Sequence, residues 1–521
     1  MTELAMLFLL AAAAFGISRW LRIPVIPLLL MAGVGLSITG HAPHPDFIGS
    51  AVELGLTFLV FAAGIEMNPD RIKPQKTAVF WVAPIQFVAA GLTGIAVALA
   101  FGFSTISSLY LGFAMSASST LVVIRQLRAS QQMFEPFGRL VIGVLLLQDV
   151  IMVALIVLVS RFQDGAHAIL SAVAGTAACA FLAYRLQKSI LPKVLLKSEI
   201  DPESLLLAIL SLLFVFAGIT YSFGLPPFIG AFLAGFALSS FPVNGVARGV
   251  LNSLNDFFLA LFFTAVGAHV VVPGLMDLTI AIIFATVVLL VTPPVVTAVA
   301  EWKGLSSRSA IESGLLLAQH SEFALIIGLT GQSLGHIDAR TLTIIATAAV
   351  ITMTLTPLIA NTRLTRKLLH LHPSRRRGTT EAQMKDHVLI LGFGSGGMWT
   401  LKPLKASGYR TLVVDDDPAV VSQLQKMNID CLRGDASEEH TLVKAGAIHA
   451  KLILAGMRRV RDAENVLKFA GQVPVFVRVF EKAEAAFVEN LGGHPVLNSK
   501  AAVETFMQWY QTTDSAKPTD D

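Results

Sequence analysis

Two cysteines in 521 residues are too few for a disulfide framework, and they fall in unlike surroundings, Cys179 in an apolar stretch and Cys431 in a polar one. That argues for two packed thiols rather than a bridge. Charged residues are scarce at 14% while apolar ones reach 54%, and the mean hydropathy of +0.68 excludes one soluble domain. No Lys or Arg precedes the first apolar run. Met1-Thr2-Glu3-Leu4 leads straight into it, and Arg19 and Arg22 follow it. A cleaved leader needs the reverse order, so the run reads as a first membrane helix with its N-terminus outside.

The apolar excess is confined to residues 1–362, and composition turns ordinary after Arg375-Arg376-Arg377. The division is therefore a membrane domain over 1–362, a basic linker over 363–384, a soluble domain over 385–512 and a polar tail over 513–521. A crossing helix needs about 20 apolar residues. Segments near 4–18, 24–40, 51–68, 78–103, 107–124, 140–160, 167–184, 203–221, 225–241, 254–270, 276–299, 310–332 and 341–362 make about thirteen crossings. With an outside N-terminus, the cytoplasmic loops and the linker hold twenty-one Lys and Arg, and the opposite loops hold Arg161 and Arg340. This bias supports the count, places the C-terminal domain in the cytoplasm, and assigns the basic residues to topology rather than to nucleic acid.

Within the sixth segment stand Gln148 and Asp149, in an apolar run that offers a carboxylate no water. A charge at bilayer depth costs at least a few kcal/mol, so Asp149 is the leading transport residue. Ser118, Ser119 and Thr120 form a polar cluster in the fifth segment, and Gln319-His320-Ser321-Glu322 form another in the twelfth. Segments five and twelve are seven apart, and an odd offset inverts the second copy, as in inverted-repeat transporters. Their interrupted helices are expected to meet near the midplane, with Asp149 projecting into the crossing. Removal from water favours the protonated form of a carboxyl group. One carboxylate that takes either a proton or a monovalent cation exchanges the two as it faces alternate sides. Asp149 is then a transient cation ligand, and Gln148 beside it, in place of a second acid, makes one-for-one electroneutral exchange the simplest stoichiometry. Glu322 is the second candidate, with neutralisation of a helix dipole as its plainer role. Glu53 and Glu66 read as interfacial, and His320 as a packed histidine.

The soluble domain opens with the strand His387-Val388-Leu389-Ile390-Leu391, then Gly392, Gly394 and Gly397 in G-x-G-x-x-G spacing, then helical sequence. A second strand, Thr411–Val414, closes on Asp415, an acid placed about 20 residues on to meet a ribose, which favours NAD over NADP. Further strands at Asp430–Arg433, Leu452–Ala455 and Val475–Val479 predict a parallel, doubly wound Rossmann-like α/β sheet. About 130 residues leave no second half for a substrate and no catalytic constellation. A bound nucleotide here is a signal rather than a reagent, and the chain reads as a transporter, not an enzyme.

Both parts together resemble the monovalent cation:proton antiporter-2 family, and in particular its Kef-type potassium-efflux antiporters. The resemblance covers residues 1–510. It rests on Glu53-Leu54-Gly55, Phe61–Glu66, Ser118-Ser119-Thr120, Gln148-Asp149, Gly230–Gly235, Phe262–Gly267 and Ser321–Ala324. In the soluble part, Gly392–Gly397, Asp415 and Gly434-Asp435 resemble the KTN/RCK regulatory domain, where the last pair lies near an adenine nucleotide. It implies a sodium/proton-antiporter-like fold, a homodimer, an elevator-like motion, and potassium–proton exchange in the bacterial inner membrane. It further implies regulation by NAD(H) or AMP, no stable metal, and room for a small cytoplasmic ancillary subunit. Two departures stand out. Ser240–Arg248 lacks the acidic loop of glutathione-gated members, and His320-Ser321 replaces a Gly-Gly pair before Glu322, so glutathione gating and the detailed pH response are not carried over.

Sodium or mixed cation exchange on the same fold is the nearest rival. A nucleotide-gated channel would need a TVGYG-like filter, which the chain lacks. A membrane oxidoreductase would need a haem, flavin or quinone partner, and no cluster of ligands for one is visible.

Overall fold

The computed structural model describes residues 2–21, 23–39, 44–67, 75–130, 132–133, 135–161, 164–191, 202–240, 243–371, 384–393, 397–457 and 460–497. The chain forms two compact units, one of 1–303 with 310–365 and the other of 304–309 with 366–521.

The first unit is entirely helical. It begins with α1 (Thr2–Leu21), α2 (Val25–Ile38), α3 (Pro45–Glu66) and α4 (Lys76–Ala100). Next come α5 (Thr105–Ser116), α6 (Thr120–Ala129), α7 (Pro136–Ser160) and α8 (Ala166–Arg185), the last prolonged by a π-helical turn at Leu186–Ile190. There follow α9 (Pro202–Ser222), α10 (Pro227–Ala237), α11 (Val243–His269) and α12 (Leu275–Trp302). The series closes with α13 (Ser307–Leu317), α14 (Glu322–Ser333), α15 (Ala339–Ile359) and α16 (Thr362–Leu371), of which residues 307–309 and 366–371 are counted with the second unit. Eight segments are long and apolar enough to cross a membrane, with α5 and α6 taken together, and four shorter apolar helices accompany them among the described residues. Thirteen crossings were expected. The difference lies in helices too short to qualify singly, such as α2 and α10, and in the broken α13–α14 pair.

Two groups of helices share this unit. In one, α2 and α3 pack on α10 and α11; in the other, α4, α5, α7, α12, α14 and α15 pack together. The first group is drawn tight by missing side chains. A Cβ on Gly64 would collide with the Phe232 carbonyl, and one on Gly235 with the Phe61 carbonyl, so α3 and α10 touch backbone to backbone. Close contact through small residues is how helices associate where lipid removes the hydrophobic drive.

Two helices reach beyond the apolar segments read from the sequence. α11 starts at Val243, some eleven residues before the apolar run, because Val243, Ala247 and Leu251 continue its buried stripe through polar sequence. The basic linker begins as the helix α16: Leu364, Leu368 and Leu371 recur at helical spacing between Arg363, Arg366 and Lys367, and the Asn361 side chain accepts from the Leu364 amide at 3.0 Å. The high charge hid that period. Most of the remaining linker and the polar tail lie outside the described residues.

The second unit is a six-stranded parallel sheet of order β3-β2-β1-β4-β5-β6. Its strands are β1 (Val388–Leu391), β2 (Thr411–Asp415), β3 (Cys431–Arg433), β4 (Leu452–Ala455), β5 (Val475–Val479) and β6 (His494–Leu497). Alternation sends Leu389 and Leu391 into one apolar core and Ile390 into the other, so helices cover both faces. Five strands lie where expected. β6 was not anticipated, since Gly492-Gly493 and Pro495 disguise it, and an edge strand is where Pro is tolerated. The order reverses between β1 and β4, which opens a ligand crevice at their carboxyl ends.

Candidate ion site and nucleotide crevice

Both polar clusters interrupt their helices. α5 stops at Ser116 and α6 starts at Thr120, while α13 stops at Leu317 and α14 starts at Glu322. Serine oxygens compete with backbone carbonyls for amide protons and so favour helix starts. The Ser119 hydroxyl caps α6 by accepting from the Val122 amide at 3.3 Å, and Ser321 caps α14 through Phe323 at 3.1 Å. The two breaks meet: the Ser118 hydroxyl donates to the Leu317 carbonyl at 2.6 Å. Neighbouring hydroxyls serve the rest of the second break. Thr356 donates to the Ala318 carbonyl at 2.7 Å, and Thr352 accepts from the His320 amide at 3.1 Å.

Asp149 lies fully buried at this crossing. Its Oδ2 accepts from the Thr120 hydroxyl at 3.0 Å, while Oδ1 has no donor among the described residues. Glu322 and then Glu66 are the acids that act on it electrostatically. Glu322, also buried, stands at the N-terminus of α14 and faces the start of α6 at Ser119, Thr120 and Leu121, and its Oε2, like Oδ1 of Asp149, has no donor among the described residues. It faces two positive helix ends at once, an arrangement that stabilises a carboxylate. Sequence spacing alone could not show this, because the two acids stand 173 positions apart in the chain.

Gln148 is not an open ligand. Its Oε1 accepts from the Ser118 amide at 3.1 Å, and its Nε2 donates to Oε1 of Gln86 on α4. A backbone amide can only donate, so this contact fixes which way the side-chain amide points. Gln86, buried and unnoticed in the sequence, is a lone amide in an apolar helix, and that oddity was the available signal. His320 is packed as expected, its Nδ1 3.0 Å from the Thr352 hydroxyl. Glu66 pairs with Arg128 at 3.2 Å. Glu53 is exposed, on the rim of a separate cavity of about 1080 Å³ shared with Arg161, His269 and His336.

In the second unit, Gly392 ends β1 with φ of +76°, a left-handed conformation open to glycine, and a Cβ there would stand 3.1 Å from the Met457 amide. Asp415 ends β2. Its Oδ2 accepts from the Phe393 amide at 2.8 Å and its Oδ1 from the Asp417 amide at 2.9 Å, so it braces the turn after β1. A carboxylate keeps further lone pairs for a ribose. Asp435 follows β3 and accepts from the Ser437 amide and hydroxyl at 2.8 and 2.7 Å. Gly394 lies outside the described residues, and Gly397 opens the following helix, Gly397–Ala406. A left-handed glycine and a strand-end carboxylate at the switch point fit an adenine nucleotide.

An interrupted-helix bundle with a buried acid at its crossing, joined to a Rossmann-like unit, defines a cation-exchanging secondary transporter with a regulatory domain. The sodium/hydrogen exchanger transmembrane family matches residues 5–363, and the TrkA-N domain family matches residues 388–499. The chain belongs to the sodium/hydrogen exchanger family, and a segment that matches the TrkA-N domain follows the membrane part. It is similar to a putative K(+) efflux antiporter KefB of Alkalimonas amylolytica, 25% identical over 526 residues, covering 95% of this chain and 79% of that one. The glutathione-regulated potassium-efflux system protein KefC of Escherichia coli (strain K12) is 25% identical over 465 residues, covering 82% and 73%. Among solved structures, the sodium proton antiporter NhaP1 of Methanocaldococcus jannaschii matches with a TM-score of 0.57 at 16% identity, over 71% of this chain and 99% of that one. At that identity the likeness shows the membrane fold alone.

Proposed function

We propose that this protein exchanges potassium for protons across the bacterial inner membrane, one for one, with the Asp149 carboxyl carrying either ion in turn. The observation that carries this reading is the Asp149 carboxylate itself: fully buried, one oxygen held by Thr120, the other without a donor. Burial of that kind is costly unless the group is used. Thr120 holds the carboxylate in place, Ser118 ties the two broken helices together, and Gln148 holds the unwound backbone in register. Glu322 stands between two helix ends, whose dipoles favour its charge, whereas Asp149 lies within α7, away from either of its ends, and is the group that loads and unloads. Alternating access presents it to each side, and the protein works as a homodimer.

NAD(H) or AMP bound over Gly392, between Asp415 and Asp435, regulates exchange without taking part in it. Cation-dependent proton flux in everted vesicles tests the whole reading, with potassium and sodium supplied in turn. Wild type should drive proton release with potassium and lose it on Asp149→Asn, unaltered by collapse of the membrane potential. Flux that survives the asparagine would sink the mechanism; equal or greater flux with sodium would assign the chain to sodium exchange.

A further inference from the structure

The ends of α4 and α12 hold a feature that ion exchange does not use. The Lys303 ammonium lies 3.2 Å from the centre of the Trp302 ring and 4.4 Å from that of Trp81, and the two indoles meet edge to face at 5.2 Å. Both tryptophans are open to the surroundings, Trp302 at 62% and Trp81 at 46% exposure. Among the described residues no carboxylate lies within ion-pairing distance of Lys303. Arg340 makes the contrast: it lies over Phe103 at 5.5 Å but bonds Asp277 at 2.7 Å, so its charge is balanced inside the protein. Among the described residues no acid does the same for Lys303.

The surroundings of this cation define its partner. α4 and α12 pack side by side, and below the indoles they expose Val88, Leu92, Ile282 and Leu290, an apolar surface on two crossing helices. Tryptophans at the end of such a surface mark the level of the lipid headgroups. Two crossings, α13–α14 and α15, separate Lys303 from Thr362, which puts Lys303 on the cytoplasmic side, where the inner leaflet carries anionic lipid. Lys76, which opens α4 at the same end, adds a second positive charge.

We propose that Trp81, Trp302 and Lys303 form a binding site for the headgroup of an anionic phospholipid of the inner leaflet, its acyl chains lying along α4 and α12. The two indole faces hold the ammonium in place, so it meets the phosphate without first being ordered. Binding is therefore expected to weaken as salt is raised.

The test titrates purified full-length protein in detergent with phosphatidylglycerol, phosphatidylcholine or inorganic phosphate, and follows the melting temperature. Phosphatidylglycerol should raise it more than phosphatidylcholine, and inorganic phosphate should leave it unchanged. Lys303→Gln should weaken the phosphatidylglycerol response about fivefold, as expected for one basic residue at an anionic surface. Lys303→Arg should keep it, Trp302→Leu should reduce it, and Arg340→Gln should not alter the preference. Equal responses to the two lipids would overturn the proposal in favour of a nonspecific apolar annulus. So would an unchanged response in Lys303→Gln, or a phosphate effect that matches the lipid.

Discussion

Gln148 and Gln86 form a chain of two amides that ends on the Ser118 backbone, and removing its members one at a time gives a graded outcome. Gln148→Leu strands two buried groups, the Ser118 amide and the Gln86 carbonyl oxygen. Each stranded group costs about 1–3 kcal/mol, so the substitution costs about 2–6 kcal/mol. Gln86→Leu strands only Nε2 of Gln148, at about 1–3 kcal/mol. The double substitution removes both partners of the amide–amide bond and leaves only the Ser118 amide unmet, again about 1–3 kcal/mol. The double variant should thus melt above Gln148→Leu, with a coupling between the sites of twice the single-group cost, about 2–6 kcal/mol in size. Melting of purified protein in detergent measures the order, and vesicle flux adds a second readout, since a loosened Ser118 also loosens the crossing. Additive losses, or a Gln86→Leu variant that melts like wild type, would refute the relay and return Gln148 to the role of an ion ligand.

Three further outcomes follow from other parts of the molecule. Gly235→Leu drives a side chain into the Phe61 carbonyl, and because backbone cannot yield as a side chain can, the variant should cost more than the usual 1–3 kcal/mol or so of overpacking and fail to accumulate in membranes. Asp415→Ala frees the amides of Phe393 and Asp417 together and should abolish NAD or AMP binding measured by calorimetry, whereas Asp435→Ala should only weaken it. Burial chiefly holds the His387 imidazole below the ordinary histidine range, while its Nε2 lies 2.9 Å from the Ala445 carbonyl. Between that lowered value and about 6.5, the unfolded chain binds a proton that the folded domain refuses, so stability present above the window is lost as pH falls through it. Melting should therefore drop from pH 7 to pH 5, and His387→Gln should flatten the slope.

Much of this architecture was legible in the chain because membranes and parallel sheets write strong patterns. Asp149 stood out by its cost, and Ser118-Ser119-Thr120 by their polarity inside an apolar run. Four of the five expected strands were evident because apolar runs ended on glycine or acid, and the fifth by its alternating valines. What escaped notice depends on distance along the chain. Nothing local to Glu322 shows that it approaches Asp149, and nothing local to Gln86 shows that it holds Gln148. Asp415 was read for its place after the strand, yet its first duty, bracing Phe393 and Asp417, is a matter of hydrogen bonds that spacing does not reveal. α16 was hidden by its own arginines, which dominate composition while its leucines keep helical time.

The carbonyls bared at the second break are already occupied, that of Leu317 by Ser118 and that of Ala318 by Thr356. A potassium-selective pore strips its ion by ringing it with such oxygens; here they are turned toward serine and threonine instead. On the proposed exchange, each of those two oxygens has one lone pair engaged before an ion arrives, which moves the burden of coordination toward the Asp149 carboxylate.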